Sequence, residues 1–400
     1  MSQLHFTYLI VGGGMTADAA VRGIRQLDAN GTIGLIGAEP DAPYNRPALT
    51  KGLWKGKPVE GIWRGTQEFG AQLHLGRQAR ALDPRDKRVT DDQGTVYTFD
   101  KLLLATGGTP RRLPFGGDHI VYYRTLRDYQ RVRALADQGG RLAVIGGGFI
   151  GSEIAAALAM NQKEVMIILP EESIGERLFP HDLSHFLNDF YRRKEVEVLP
   201  LTSAVGLEER QGRLALKMRG VKVGDEQEIL VDGVIAGIGI QPDVELARAA
   251  GLKVDNGIVV DESLRTTHAD IYAAGDVANF YNPALGKTIR VEHEDNANTM
   301  GHTAGQIMAG ASILYHHLPF FYSDLFELGY EAVGELDSRA EIVADWKEPF
   351  RKGVVYYLRE GRVRGVLLWD VWGQVDAARR LIAEPGPLRP QDLKGRLPVK

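Results

Sequence analysis

Two glycine turns carry the clearest chemistry in the sequence. The first, Gly12-x-Gly14-x-x-Ala17, follows the apolar run Tyr8 to Val11 and precedes an Ala-rich stretch reaching Gln26. The second, Gly146-x-Gly148-x-x-Gly151, follows Leu142 to Ile145 and precedes a helix-forming stretch reaching Met160. A strand, a glycine turn and a helix in that order let bare backbone approach a pyrophosphate, whose charge is favoured by the exposed N–H groups at the helix start. An acid closes each unit. Glu39, just past the apolar run Thr32 to Ile36, is placed to accept from ribose hydroxyls. Glu171, about 20 residues after Gly151, stands where an acid suits the free 2′-hydroxyl of NADH and repels the 2′-phosphate of NADPH. The plainer alternatives are a tight turn without a ligand and, for Glu171 and Glu172, a solvated acidic turn. Repetition of the whole unit weakens the first of these.

Such groups need rigid elements behind them. Strands alternating with helices predict an α/β fold of parallel sheets covered on both faces. Between the two units lie Arg88 to Thr90, Thr95 to Phe99 and Leu102 to Ala105, the last running into Thr106-Gly107-Gly108. After the second unit come Val196 to Leu199, Leu214 to Met218 and Val231 to Ile240, each read as a strand, then the loop Ala273-Ala274-Gly275-Asp276. From about Phe320 the texture changes to short β-rich runs: Glu331 to Leu336, Ile342 to Asp345, Val354 to Leu358 and Val363 to Trp369, with a turn signal at Glu360-Gly361. A closing helix is expected over Gln374 to Ile382, and the last stretch reads as a separate α+β domain.

Composition narrows the function. A length of 400 residues suits two or three domains, and 44% hydrophobic with 25% charged residues is ordinary for a globular chain. The formal charge of −4 argues against nucleic acid as ligand. Cysteine is absent, which excludes a disulfide framework, a thiolate nucleophile, a thiolate-bound metal and a redox-active thiol pair. Electron transfer therefore requires a bound cofactor, and no metal-ligating set is assigned. No run is apolar enough to span a bilayer and no targeting segment is legible, so no membrane partner is expected and the cytoplasm is the expected compartment. Glycine is over-represented, at 47 residues, which marks many close backbone approaches. Two nucleotide sites without cysteine suggest a two-electron donor passing hydride to a flavin able to release single electrons.

Further segments resemble a known family. Tyr44-Asn45-Arg46-Pro47-Ala48-Leu49-Thr50-Lys51, Leu104-Ala105-Thr106-Gly107 with Arg111 after it, Ile271 to Asp276, Arg290-Val291-Glu292-His293 and Phe321-Tyr322-Ser323-Asp324 occur in an order similar to the FAD- and NAD(P)H-dependent pyridine nucleotide-disulfide reductase superfamily. The likeness is to its branch without a redox disulfide, which holds ferredoxin and rubredoxin reductases, apoptosis-inducing factor and monodehydroascorbate reductase. It extends from about Tyr8 to Leu381. The resemblance implies FAD and NADH as cofactors and two Rossmann-like domains plus a C-terminal α+β interface domain. It allots residues 1–112 and 236–318 to the FAD domain, 113–235 to the NADH domain and 319–400 to the interface domain.

It also implies roles for single residues. Arg46 contacts FAD phosphate, Lys51 approaches the flavin, Asp276 with Gly275 meets the ribityl chain, and Glu292, His293 and Tyr322 border the flavin ring. Gly12, Gly14, Met15, Thr16 and Ala17 would cradle FAD with Glu39, Ala105, Thr106 and Gly107. Gly148, Phe149, Ile150, Glu153, Glu171, Arg111 and Gly239 complete the cofactor contacts, Phe149 shielding the flavin until nicotinamide arrives. Lys51 and Glu153 are expected to pair near flavin N5 as the catalytic couple. The acceptor is open: a small redox carrier of the ferredoxin or rubredoxin type, docking on basic residues such as Arg111, Arg112, Lys287 and Arg290, or a small molecule. A redox sensor like apoptosis-inducing factor is the reading from another class. Monodehydroascorbate reductase is the third, put in doubt by Asn298 where the plant enzymes carry arginine. Coenzyme A disulfide reductases are disfavoured for want of a cysteine. Monomer and homodimer both remain open.

Overall fold

The apolar run around Tyr8 has no polar face to offer water, so it forms a strand only where both faces are covered. In the computed structural model, which describes residues 3–399, it is the core of Gln3–Val11, with Leu9 and Ile10 fully buried. Among the described residues are seven α-helices: α1 (Met15–Arg25), α2 (Leu126–Gln138), α3 (Phe149–Met160), α4 (His181–Arg193), α5 (Glu245–Ala249), α6 (Glu294–Met308) and α7 (Val375–Ala383). The chain divides into two units. The first holds residues up to Arg46, Pro58–Thr109 and Gln241–Phe320; the second holds Pro47–Lys57, Pro110–Ile240 and everything from Phe321 on.

In the first unit, parallel strands run in the order Ala71–Leu75, Ile33–Gly37, Gln3–Val11, Val96–Leu104 and Ile271–Ala273. Val96–Leu104 is one strand where the sequence suggested two. Its first half pairs antiparallel with Arg88–Asp91 and its second half parallel with Ile271–Ala273, so it changes partner at the polar pair Asp100-Lys101 that broke the pattern. A core of strand and helix side chains, from Phe6 to Tyr315, lies in this unit. Helix α1 lies unusually close to α6, which the sequence reading had not singled out. A Cβ on Gly301 would stand 2.4 Å from the Thr16 carbonyl, and one on Gly305 would stand 2.1 Å from that of Ala20.

The second unit contains a second parallel sheet, ordered Val196–Leu199, Glu164–Ile168, Arg141–Ile145, Gly233–Ala236 and Ile120–Tyr122. The expected strand Val231 to Ile240 is instead three pieces in three sheets: Glu226–Val231, Gly233–Ala236 and Ile240–Pro242. Asp232 makes the first break by accepting from the Arg141 amide at 2.7 Å and from Arg213 at 2.7 and 2.9 Å. Gly239, at φ +87°, makes the second. The C-terminal stretch forms a five-stranded sheet, Phe320–Leu325, Leu328–Gly334, Arg362–Trp369, Lys352–Arg359 and Glu341–Glu348, with α7 against Leu328–Gly334 and Arg362–Trp369. Its tight turn at Glu360-Gly361 has both residues at positive φ, 52° and 69°. The segment read as a separate third domain thus clusters with residues 110–240, and Pro47–Lys57 joins the same unit.

Candidate active site

Gly14 and Gly148 cap α1 and α3 in extended backbone, and as glycines they bring no side chain to accept from the first amides. A helix start capped by glycine suits an anion. A Cβ on either glycine would meet no protein atom within 4 Å, so each turn fits a pyrophosphate laid against bare backbone. The glycines behind them serve packing. A Cβ on Gly12 (φ +132°) would stand 2.0 Å from the Ala105 carbonyl, and one on Gly151 would stand 1.9 Å from that of Gly146.

In the first unit the candidate residues converge on the α1 turn. Met15, Thr16 and Ala17 form its first residues, all buried. Gly275, at φ +79°, approaches Thr16 so closely that a Cβ would be 2.3 Å from its hydroxyl oxygen, which draws the Asp276 loop onto the turn. Glu39 accepts from Tyr44 Oη at 2.7 Å and from Arg46 Nη2 at 2.6 Å, so the two candidate residues hold each other in place. Thr106 donates to the Asp243 carbonyl at 2.7 Å, and the Asp243 amide returns a bond to Gly107 at 3.0 Å. His293 caps the start of α6. Removal from water, opposed by Asp276 and Asp295, holds its imidazole down at about 4, so it is neutral near pH 7. Glu292 is exposed and pairs with Arg290 at 2.7 Å.

In the second unit Lys51 Nζ lies 2.6 Å from Glu153 Oε1, the pair expected from the sequence, with side chains only 15% and 5% exposed. Sequence reasoning missed the two hydroxyls that complete it. Thr50 donates to Oε2 at 2.6 Å and Ser323 to Oε1 at 2.6 Å, so the buried carboxylate has three donors. Both residues stood inside the motifs quoted above, and a small hydroxyl beside a buried charge was the available signal. Lys51 also lies 5.3 Å from the centre of the Tyr322 ring, and Phe149 meets Phe321 edge-on at 5.0 Å. Burial and the Glu153 charge drive the phenols of Tyr191 and Tyr330 upward, so both stay neutral beside it.

The remaining candidates lie on the same unit. Ile150 is exposed at the start of α3, and Glu171 accepts from Arg177 at 2.7 Å. Arg111 donates its amide to the Gly239 carbonyl at 2.9 Å, which joins two residues far apart in sequence. Of the four basic residues considered for docking, Arg111, Arg112 and Lys287 are exposed. Arg290 is not: its side chain is 10% exposed and is committed to Glu292 and the Asp276 carbonyl, which removes it from a docking surface. A further group had no place in the sequence reading. Asp18, in the first turn of α1, is fully buried and held by Arg22 at 2.9 Å, Arg64 at 2.7 Å and Thr66 at 2.8 Å.

Comparison with known proteins gives concordant matches. Residues 6–301 match the family described as pyridine nucleotide-disulphide oxidoreductase, and residues 344–384 match the C-terminal domain of mitochondrion-associated apoptosis-inducing factor. A ferredoxin reductase subunit of the 5,5′-dehydrodivanillate O-demethylase from Sphingobium sp. is 36% identical, covering 90% of this chain and 89% of its own. Mitochondrial apoptosis-inducing factor 1 of Dictyostelium discoideum is 34% identical over 94% of this chain and 78% of its own. The crystal structure of a covalent putidaredoxin reductase–putidaredoxin complex matches with a TM-score of 0.88 at 30% identity, covering 96% of this chain and 95% of the other.

Proposed function

Because the chain belongs to the pyridine nucleotide-disulphide oxidoreductase family, we propose that it oxidises NADH and delivers the electrons singly to a small iron–sulfur carrier of the ferredoxin type. FAD and NAD(P)H are its cofactors, and its coarser activity is that of a ferredoxin reductase-like NAD(P)H oxidoreductase. The observation that carries the finer reading is two dinucleotide turns in a sequence with no cysteine. Electrons taken from a nicotinamide have no thiol pair to enter, so they leave to an outside acceptor. The names of the Sphingobium relative and of the putidaredoxin complex support an iron–sulfur carrier in that place.

The first turn, with Glu39, Arg46, Ala105, Thr106, Gly107, Asp276 and His293, would hold FAD. The second, with Phe149, Ile150, Glu171, Arg111 and Gly239, would hold NADH. Bound flavin supplies the change from two-electron to one-electron chemistry. Hydride passage needs no protein acid or base, so the residues contribute alignment. Glu153 fixes the Lys51 ammonium through a short ion pair and is itself fixed by Thr50 and Ser323. Phe149 and Tyr322 supply aromatic surface that excludes water. Glu171 selects against a 2′-phosphate by like charge.

The test is stopped-flow absorbance of the yellow protein mixed without oxygen with NADH or NADPH, then with an oxidised [2Fe–2S] ferredoxin or with air. Fast bleaching by NADH and faster recovery with ferredoxin than with air support the carrier reductase. In Glu171→Gln the preference for NADH should shrink by about fivefold, the effect of roughly 1 kcal/mol between partly solvated charges. An unchanged preference removes Glu171 from the role. The match of residues 344–384 to the apoptosis-inducing factor C-terminal domain favours a second reading, a redox sensor. In that case long-wavelength absorbance persists in air and ferredoxin does not discharge it. Monodehydroascorbate reduction is set aside. Arg64 does reach Asn298, donating at 2.9 Å, but its guanidinium is committed to the buried Asp18.

A further inference from the structure

We propose that His181, His185 and Glu172 form a binding site for a divalent transition-metal ion of the zinc, nickel or copper(II) class. The two histidines occupy positions i and i+4 of α4 and so share one face of the helix. Their rings lie 4.2 Å apart between centres. Glu172 comes from the loop after Glu164–Ile168, and one ligand-capable atom from each of the three residues lies within 4.8 Å of the others. The sequence reading assigned no such set, because nothing in the spacing shows that this loop folds onto this helix.

Three hydrogen bonds hold it there, which separates the site from a chance meeting of surface side chains. Asn188 donates to the Glu172 carbonyl at 2.9 Å, the Ile174 amide donates to the Asn188 side-chain oxygen at 3.0 Å, and the Ser173 and Ser184 hydroxyls meet at 2.8 Å. His185 Nε2 is buried and has no hydrogen-bond partner among the described residues, a condition that a nitrogen lone pair facing a cation would relieve. Two imidazoles and one carboxylate suit borderline cations, whereas calcium and magnesium require oxygen donors. Three protein ligands leave a coordination position for water or a small anion.

Lys222 already supplies a cation to this carboxylate. Its Nζ lies 2.8 Å from Glu172 Oε1 and holds the carboxyl below its usual range. A metal ion and Lys222 therefore compete for Glu172. Removing the lysine should tighten metal binding, an effect that histidines acting independently of Glu172 would not show.

The test uses untagged, flavin-loaded protein freed of metal with a chelator. It is titrated with Zn²⁺ by calorimetry and with Cu²⁺ by electron paramagnetic resonance. The expected result is one Zn²⁺ per chain, unaffected by millimolar Mg²⁺ or Ca²⁺, and a Cu²⁺ spectrum with coupling to two imidazole nitrogens. Binding should weaken by about tenfold or more in His181→Ala, a change at an exposed position that spares the fold, and also in Glu172→Gln. It should tighten severalfold in Lys222→Met. Absence of Zn²⁺ binding, or binding that His181→Ala leaves unchanged, overturns the assignment. Indifference to both Glu172→Gln and Lys222→Met does so too, since it reduces the site to a pair of surface histidines.

Discussion

Each dinucleotide unit buries one carboxylate near the start of its helix, and the two are satisfied in different ways. Asp18 in α1 is met by two guanidinium groups, Arg22 and Arg64, and one hydroxyl, Thr66, and Arg64 also donates to Asn45 at 2.8 Å. Glu153 in α3 is met by one lysine and two hydroxyls. Guanidinium groups are permanently charged and planar, so they hold a carboxylate in one place. An ammonium on a four-carbon stem and two rotatable hydroxyls form a cage that can adjust. The first unit thus treats its buried acid as a structural tie, and the second keeps its acid adjustable where a nicotinamide is proposed to come and go.

The sharpest way to break that contrast is to neutralise both acids. Asp18→Asn leaves two arginines facing an amide and should lower stability by about 3–5 kcal/mol in urea unfolding of the flavin-loaded protein. Glu153→Gln strands one cation rather than two and leaves an amide that still accepts from the two hydroxyls, so its loss should be smaller, about 1–2 kcal/mol. Its flavin reduction by NADH should slow by roughly 10- to 100-fold as alignment is lost. If Glu153→Gln reduces the flavin at the normal rate, or Asp18→Asn is as stable as the parent, the distinction between tie and adjustable cage fails.

A second contrast is between a glycine at a helix–helix contact and a glycine in a turn. Gly305 on α6 has no room for a methyl group, because a Cβ would be 2.1 Å from the Ala20 carbonyl. Gly305→Ala should force α1 and α6 apart and cost about 1–3 kcal/mol in thermal unfolding. Gly148→Ala adds its methyl to open space, so stability should change by less than about 1 kcal/mol. The same methyl stands where the proposed pyrophosphate approaches, and the KM for NADH should rise. Should Gly148→Ala leave that KM unchanged, the second turn is not the nicotinamide cradle.

Much of this was legible in the sequence because it is local. Strand, glycine turn, helix and acid follow one another within short spans, and backbone geometry makes glycine obligatory at Gly12 and Gly275. What was not legible is what the fold brings from a distance. Thr50 and Ser323 reach Glu153 from 103 and 170 positions away, and Arg64 reaches Asp18 from 46. Asp18 with Arg22 four residues on in α1 was the local trace of the Asp18 cluster. Val231 to Ile240 was misread as one strand because apolar residues continue across Gly233–Ala236 and Ile240. Nothing in that run reveals that Arg141 and Arg213 capture Asp232 and end the first piece. The C-terminal stretch was read correctly as β-rich, but its grouping with residues 110–240 depends on contacts that periodicity does not encode.

The smallest expected effect tests whether the first unit holds a further polar group, a histidine, in one charge state. His293, at the start of α6, faces Asp276 and Asp295, yet loss of water keeps its imidazole down at about 4 against an ordinary 6.5. The positive end of the helix adds to that preference for the neutral ring. Between those two pH values the unfolded chain binds the proton and the native chain does not. Stability therefore falls as pH drops from about 6.5 toward 4, and it is indifferent to this group above 6.5. The size is about 1 kcal/mol once partial exposure of the ring is allowed for. His293→Gln removes the titration, so its urea midpoint should decline less steeply than the parent's across that window and run parallel to it from pH 7 to 8. Equal slopes would mean that the native imidazole already titrates near 6.5, and that the first unit leaves at least one of its polar groups as adjustable as those around Glu153.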